Sequence, residues 1–363
     1  MPIIFKPIYR ISLKIAQCLI RIEAAKEKIA HLPLTPSILS SLRESARLYS
    51  THYSTFIEGN RLTNEQIQEI VQFKGHFPGR EREEHEVKGY YAALTYIEQL
   101  AAQKIILSQV IIQKIHALVM SNGKINAAST PYRDGQNVIY DGHTKTIVYM
   151  PPEAKDVTPL MQSMINWTNN TIDLPCPIKA AIIHYQCATI HPYYDGNGRT
   201  SRLLTTLVLH LGGYDLKGIY ALEEYYARNL NAYYEALSVG PSHNYYMGRA
   251  ESDITLWIEY FTEGMAIACE KIINHMQTQE HTSIDRSPFL RMLNPKQRKV
   301  LELFISHATI TSAQVGQLFG FQPRTSSKLC KLWVNEGFFE VVNSAKKNRT
   351  YKLAARYEKT YAN

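Results

Sequence analysis

Between an apolar helical run at 178–190 and a second beginning at Leu203, the chain reads Asp195-Gly196-Asn197-Gly198. Two glycines so close cannot continue a helix, because they favour positive φ and a tight loop. The periodic run Leu203, Leu204, Leu207, Leu209 then starts a new helix. The loop's N–H groups therefore point outward at a helix N-terminus, which forms an anion pocket. Arg199 and Arg202 are three apart, lie on one helical face at that end, and can fork onto phosphate oxygens. Asp195 supplies a hard oxygen ligand of the kind Mg²⁺ takes. His191, just before the loop, would have the ordinary imidazole pKa near 6.5, suited to taking a proton from a hydroxyl at neutral pH. Anion cradle, metal ligand, cations and base within twelve residues point to phosphate-transfer chemistry. Asp-Gly-Asn-Gly by itself is equally what a surface turn looks like.

The length of 363 residues suggests two domains, or three. A hydrophobic share of 45% against 20% charged residues describes a soluble globular chain and excludes collagen-like, low-complexity and wholly disordered classes. No apolar run approaches the roughly 20 residues that span a bilayer. Lys6, Arg10 and Lys14 interrupt the apolar N-terminus, so residues 9–30 read as an amphipathic helix and not as a signal peptide. Five scattered cysteines without a Cys-x-x-Cys pair argue against a disulfide framework or zinc site and lead us to expect a cytoplasmic protein.

Further helices are expected at 36–57 (Thr35 as cap), from 63 (a Thr63/Gln66 capping box), and at 83–102, 108–120, 157–170, 178–190, 199–212, 222–238 and 251–276. Residues 137–140 and 146–150 flank Asp141-Gly142 as a hairpin that Pro151-Pro152 ends. The polar stretch Gln277–Ser287 reads as a linker. On an apolar helix, His184 and Tyr185 read as core residues.

Charge is distributed unevenly. Residues 286–363 hold 14 Lys+Arg and 4 Asp+Glu, a balance of +10, whereas the rest of the chain is at −2. That asymmetry suggests a near-neutral domain joined to a small module that meets a polyanion. In that module, helices at 296–307, 311–318 and 323–335 precede strands at 338–342 and 350–353 joined by a basic loop at 344–348. The pattern resembles a winged helix-turn-helix domain. Arg324, Thr325, Ser326 and Lys328 would face a DNA groove, Leu329, Leu332 and Trp333 would pack inward, and Lys346 and Lys347 would lie in the wing. A module that binds protein or helps dimerise fits the same pattern.

The stretch His191-Pro192-Tyr193-Tyr194-Asp195-Gly196-Asn197-Gly198-Arg199-Thr200-Ser201-Arg202 resembles the Fic family signature His-Pro-Phe-x-Asp-Gly-Asn-Gly-Arg-x-x-Arg, with Tyr193 replacing Phe as the one departure. A buried Tyr193 hydroxyl would need a partner. Ser54-Thr-Phe-Ile-Glu58-Gly59 resembles the family's inhibitory motif, and the 137–150 hairpin falls where its target-docking flap lies. The similarity spans about residues 40–270, and some members carry a C-terminal winged helix.

The resemblance implies a mainly α fold: a Fic-type helical bundle with a small β-hairpin flap, plus a C-terminal winged helix-turn-helix domain. The corresponding boundaries are 1–105 (N-terminal helical region with the inhibitory helix), 106–276 (catalytic core), 277–294 (linker) and 295–363. It also implies protein adenylylation, the transfer of AMP from ATP to a Tyr, Ser or Thr hydroxyl of a target protein, or of the chain itself, with release of pyrophosphate. His191 would be the general base and Asp195 the Mg²⁺ ligand. Gly196, Asn197 and Gly198 would cradle phosphates, Asn197 also through its side chain, and Arg199 and Arg202 would neutralise the leaving pyrophosphate. Tyr234 would stand against adenine. Glu58 would pair with Arg202 and Ser54 would brace the end of the inhibitory motif. An extended target segment would pair with the edge of 146–150. Expected partners are ATP, a target protein, DNA through the C-terminal module and a second copy of the chain, with no membrane. The alternatives are a DNA-binding regulator with a nucleotide-sensing Fic-like domain, transfer of another phosphate-containing group, and AMP removal.

Overall fold

The computed structural model describes residues 4–32, 34, 36–140, 146–240, 242–282, 293–343, 345, 349–355 and 357. The expected Thr35 cap, the Asp141-Gly142 turn, residues 283–287 of the expected linker, and Lys346 and Lys347 lie outside them. The chain divides into two compact units, residues 1–273 and 274–363.

The first unit is helical. It comprises α1 (Leu13–Ala30), α2 (Pro36–Ile57), α3 (Asn64–Gln72), α4 (Glu81–Ala102), α5 (Gln109–Val119), the strands β1 (Ile139–Tyr140) and β2 (Ile147–Tyr149), then α6 (Ala154–Asn170), α7 (Cys176–Ile190), α8 (Asn197–Leu211), α9 (Glu223–Arg228), α10 (Leu230–Leu237) and the greater part of α11 (Thr255–Thr282), whose last residues belong to the second unit. Helix α7 forms the centre. Ile178, Ala181, Ile182, Ile183, Cys187 and Ile190 are all fully buried, as an all-round apolar helix requires. Helix α8 packs antiparallel to it, burying Leu203, Leu204 and Leu207, with α2, α4 and α5 around the pair. The capping box at Thr63 and Gln66 forms as its spacing predicts.

Several boundaries differ from those expected. Helix α1 begins at Leu13, not residue 9, because Ser12 caps it while the chain before it pairs with residues 253–255. The expected helix 222–238 is two helices, broken at Asn229 (φ −140°), whose side chain accepts from the Ala232 N–H at 3.1 Å and so caps a new start. Helix α11 runs to Thr282, through the first residues of the expected linker.

Strand β1 pairs antiparallel with β2, Ile139 opposite Tyr149. The far edge of β2, expected to be open, is partly engaged: Met150 bridges Asn244, and the His243 ring meets the Val148 carbonyl at 2.9 Å.

The second unit holds α12 (Pro295–Val300), α13 (Leu303–Ser306), β3 (Ile310–Thr311), α14 (Ser312–Phe319), α15 (Pro323–Asn335), β4 (Phe339–Asn343) and β5 (Thr350–Leu353). The expected helix 296–307 is two pieces, because hydrogen bonding tightens to i−3 at Glu302 and Phe304. The sheet has three antiparallel strands in the order β3-β5-β4, where two were expected; buried Ile310 supplies the third strand by pairing with Tyr351. Val300, Val315, Cys330, Trp333, Phe338 and Phe339 form its core. On α15, Ser326 is buried and packs against Gly316 instead of facing outward, whereas Leu332 is half exposed instead of packing inward. Arg324, Thr325 and Lys328 are exposed.

Candidate active site

The loop between α7 and α8 starts and ends on left-handed residues, His191 (φ +52°) and Gly196 (φ +73°). Gly196 adopts this at no steric cost, while a histidine there has to be held. Arg133 holds it. Its Nε donates to the His191 carbonyl at 2.9 Å, Nη1 to Gly135 O at 2.9 Å and Nη2 to Pro152 O, while its own N–H donates to Pro192 O at 2.9 Å. This buried cation satisfies carbonyls that the end of α7 leaves open.

The His191 ring is half-buried, and its Nδ1 meets the Ala188 carbonyl at 3.3 Å. With Nδ1–H donating, Nε2 carries the lone pair. Burial pushes the His191 pKa down to about 4, against the opposing pull of the Ala188 carbonyl. The ordinary value near 6.5 expected from sequence is therefore corrected: the imidazole is neutral at pH 7, a fully available though weaker acceptor.

Asn197 closes the loop. Its Oδ1 accepts from the Tyr193 N–H at 2.9 Å and its Nδ2 donates to the Tyr193 carbonyl at 2.7 Å. The carboxamide expected to reach a phosphate is thus spent on the loop itself. The N–H groups of the first turn of α8 have no intrahelical partner, the arrangement that suits a helix N-terminus to an anion. The Tyr193 ring is buried, stacked on His116 with centroids 3.6 Å apart. His116 Nε2 in turn meets the Asp195 carbonyl at 2.9 Å. The Tyr193 hydroxyl has no partner among the described residues.

Both motif arginines are buried, but they are satisfied differently. Arg199 has one bond, Nη2 to Asp195 Oδ1 at 3.3 Å, with Glu86 at 3.9 Å from Nη1, and its Nε has no partner among the described residues. A buried, half-satisfied guanidinium beside a helix N-terminus is what an anion-binding site presents. Arg202 is more fully engaged: Nε donates to Ser54 Oγ at 2.8 Å, and Nη2 to Ser54 O at 2.9 Å and to Glu58 Oε1 at 2.7 Å. Burial disfavours its charge, yet Glu58 more than compensates and holds its pKa above the usual guanidinium value. Ser54 braces the arginine more than the motif's own end. The Glu58 carboxylate lies against the Gly198 backbone, so close that a Cβ there would stand 2.3 Å from Oε1.

Asp195 is largely exposed, and its Oδ1 also accepts from the Gly196 N–H at 2.6 Å. Among the described residues, no three of His, Cys, Asp and Glu converge as a protein cage. One carboxylate beside a phosphate cradle fits magnesium, which takes one or two carboxylates together with substrate phosphates and waters. Of the two neighbouring tyrosines, Tyr233 is core, its hydroxyl 3.0 Å from His184 Nε2. Tyr234 is 47% exposed and its hydroxyl donates to Ile57 O at 3.4 Å, next to Glu58. His184, fully buried, also meets Thr205 Oγ1 at 3.1 Å, which makes it a core residue.

The Fic/DOC family profile matches residues 106–209. That segment of the chain is therefore similar to a Fic domain. It is 31% identical over 199 residues to protein adenylyltransferase Fic of Drosophila erecta, covering 53% of this chain and 38% of that protein. It is 30% identical over 202 residues to the protein of the same name from Drosophila virilis, covering 54% and 39%. The chain thus spans about two fifths of the length of these curated relatives. A Fic family protein from Desulfovibrio desulfuricans G20 shares the fold, with a TM-score of 0.66 and 21% identity over 97% of this chain and 99% of that one. Fic-1 from C. elegans does so with a TM-score of 0.57 and 24% identity over 73% of each chain. No helix among the described residues is long and apolar enough to cross a membrane.

Two residues around this site escaped the sequence reading. Arg133 lies in a polar stretch with no periodicity to single it out. His116 could have been noticed as the lone polar residue in Ile115-His116-Ala117-Leu118.

Proposed function

We propose that this chain is an autoinhibited protein adenylyltransferase, moving the AMP of ATP onto a hydroxyl of a protein, itself or another. What carries the reading is a neutral His191, its Nδ1 engaged by the Ala188 carbonyl so that Nε2 is left as acceptor, on the loop that leads into α8, where Arg199 is buried and half-satisfied. The substrate oxygen attacks the α-phosphorus, the bond to the β-phosphate's bridging oxygen breaks, pyrophosphate leaves, and the hydroxyl proton passes to His191 Nε2. Arg199, and Arg202 once freed of Glu58, offset the charge gathering on the leaving group. Magnesium held through Asp195 would supply further neutralisation of phosphate charge. Tyr234, 47% exposed and bonded to Ile57 O next to Glu58, would stack against the adenine ring. Adenylyltransferase relatives at about 30% identity support the class of reaction.

Incubating the protein with Mg²⁺ and ATP labelled at either the α or the γ phosphate tests this reading. Label from α-ATP alone should become covalently bound; retention of γ label, or of neither in any variant that frees Arg202, would refute it.

A second role belongs to the C-terminal unit, which we propose binds duplex DNA as a winged helix. Arg324, Lys328 and Lys331 are exposed on α15, form no ion pair among the described residues, and have no acid in the first turn of that helix. Removing one phosphate-binding cation lowers the salt dependence of binding by about one unit of slope. The double variant Arg324→Glu/Lys328→Glu should weaken binding to a mixed-sequence duplex at least about tenfold and flatten its salt dependence; an unchanged titration would point to a protein partner instead.

A further inference from the structure

We propose that Asn60 is a positioning residue that latches the inhibitory turn to α4 through Glu86, holding Glu58 on Arg202. The inference rests on the reading of Glu58 as inhibitory and deepens it by naming what keeps Glu58 in place.

Helix α2 ends at Ile57, so Glu58 is not carried by helical geometry. The chain after it folds back, with Glu58 N–H and Asn60 N–H both donating to Thr55 O at 3.0 and 3.1 Å, and Gly59 takes φ +98°. A turn this short is positioned by what its side chains grip. Asn60 is buried and every polar group of its side chain is used. Its Nδ2 donates to the Glu83 carbonyl at 3.0 Å and to Glu86 Oε2 at 3.1 Å, while its Oδ1 accepts from the Leu62 N–H at 3.0 Å. The first two partners are on α4, a long helix fixed in the core through Val87, Tyr90, Leu94 and Ile97. Glu86 is mostly buried, and its other oxygen is 3.9 Å from Arg199 Nη1. One face of the turn therefore presents Glu58 to the second motif arginine, while the other is tied to the helix that flanks the first.

A bond between a buried amide and a carboxylate is among the stronger hydrogen bonds of a fold, and losing one leaves its partner unsatisfied. Freed of the Asn60 grip, the turn gains conformations in which Glu58 leaves Arg202. Neither Asn60 nor Glu86 needs to touch the nucleotide for this.

The experiment measures incorporation of α label by the full chain, alongside its melting temperature. Asn60→Asp keeps the shape but sets a second carboxylate against Glu86; Glu86→Ala removes the partner and leaves the bond to Glu83 O intact. Each is expected to raise labelling about tenfold over the unaltered chain. Neither should raise it further when added to Glu58→Gly, because Asn60 acts through Glu58. Flat labelling in both single variants while Glu58→Gly rises would overturn the latch, as would an additive gain in the double variants. If Glu58→Gly itself stays flat, the inhibitory reading fails and takes the latch with it. A variant that melts below the assay temperature is replaced in the comparison by the other.

Discussion

Glu58→Gly should raise self-labelling from α-labelled ATP by about 10- to 100-fold, the yield of freeing a charge-assisted bond of roughly 1.5–3 kcal/mol. Glu58 contributes little to the fold. It follows the last residue of α2, its side chain is 27% exposed, and its polar contact is with Arg202 at 2.7 Å. Removing it leaves Arg202 held by Ser54 through two bonds, so the guanidinium keeps its place while the N–H that faced Glu58 is freed. His191→Ala in the same background should return labelling to the floor, since a positioned base contributes about 10²–10⁴-fold. Unaltered labelling after Glu58→Gly, or full labelling without His191, would contradict the chemistry proposed here. The two variants separate inhibition from catalysis, because Glu58 touches an arginine whereas His191 is the proposed base.

Acidification should begin to destabilise the first unit before carboxylates protonate. Burial pushes His116 down to about 4 and His184 to about 3, while an unfolded histidine titrates near 6.5. Between those values the unfolded chain binds more protons than the native one, so stability falls as pH drops from about 6.5 toward 4. At about 1.4 kcal/mol for each pH unit of displacement, each of the two costs on the order of 3 kcal/mol by the bottom of that window, against typical domain stabilities of about 5–15 kcal/mol. His191, with its pKa of about 4, adds to the trend. Glu223, whose pKa burial raises, acts in the opposite sense. Urea midpoints compared at pH 7.5, 6 and 5 should fall steadily; equal midpoints at pH 7.5 and 5 would show that these imidazoles are not buried neutral. The fall should shrink in His184→Gln, which cannot take up a proton.

Local chemistry made most of the helical unit legible. Thr63 with Gln66 marked a start, Gly196 marked a break, and the apolar run 178–190 marked the central helix, whereas Gly198, expected in the loop, is the second residue of α8. His191, Asp195 and the two arginines were readable for the same reason: all lie within one loop and the first two turns of α8. What could not be read depends on contacts between distant parts of the chain. Arg133 reaches residues 190–192 across the fold, His116 stacks on a ring 77 positions away, and Asn60 meets α4. Asn229 was hidden because an asparagine inside a periodic run breaks it only if its side chain turns back onto the backbone. Strand β3 escaped because two residues cannot display a period of two. The His191 pKa was misjudged for a related reason: burial belongs to the assembled fold, not to the residue type.

The Glu58 oxygen presses on the Gly198 backbone, a spot where any side chain would evict it. Under the function proposed above, a substrate phosphate would need that same bare spot, so guard and guest would compete for a single berth shaped by the lack of one carbon atom. A mutation that bars the guard from the pocket bars the guest as well. Lineages that shed this restraint would therefore be expected to do so by altering the N-terminal turn, leaving the berth untouched.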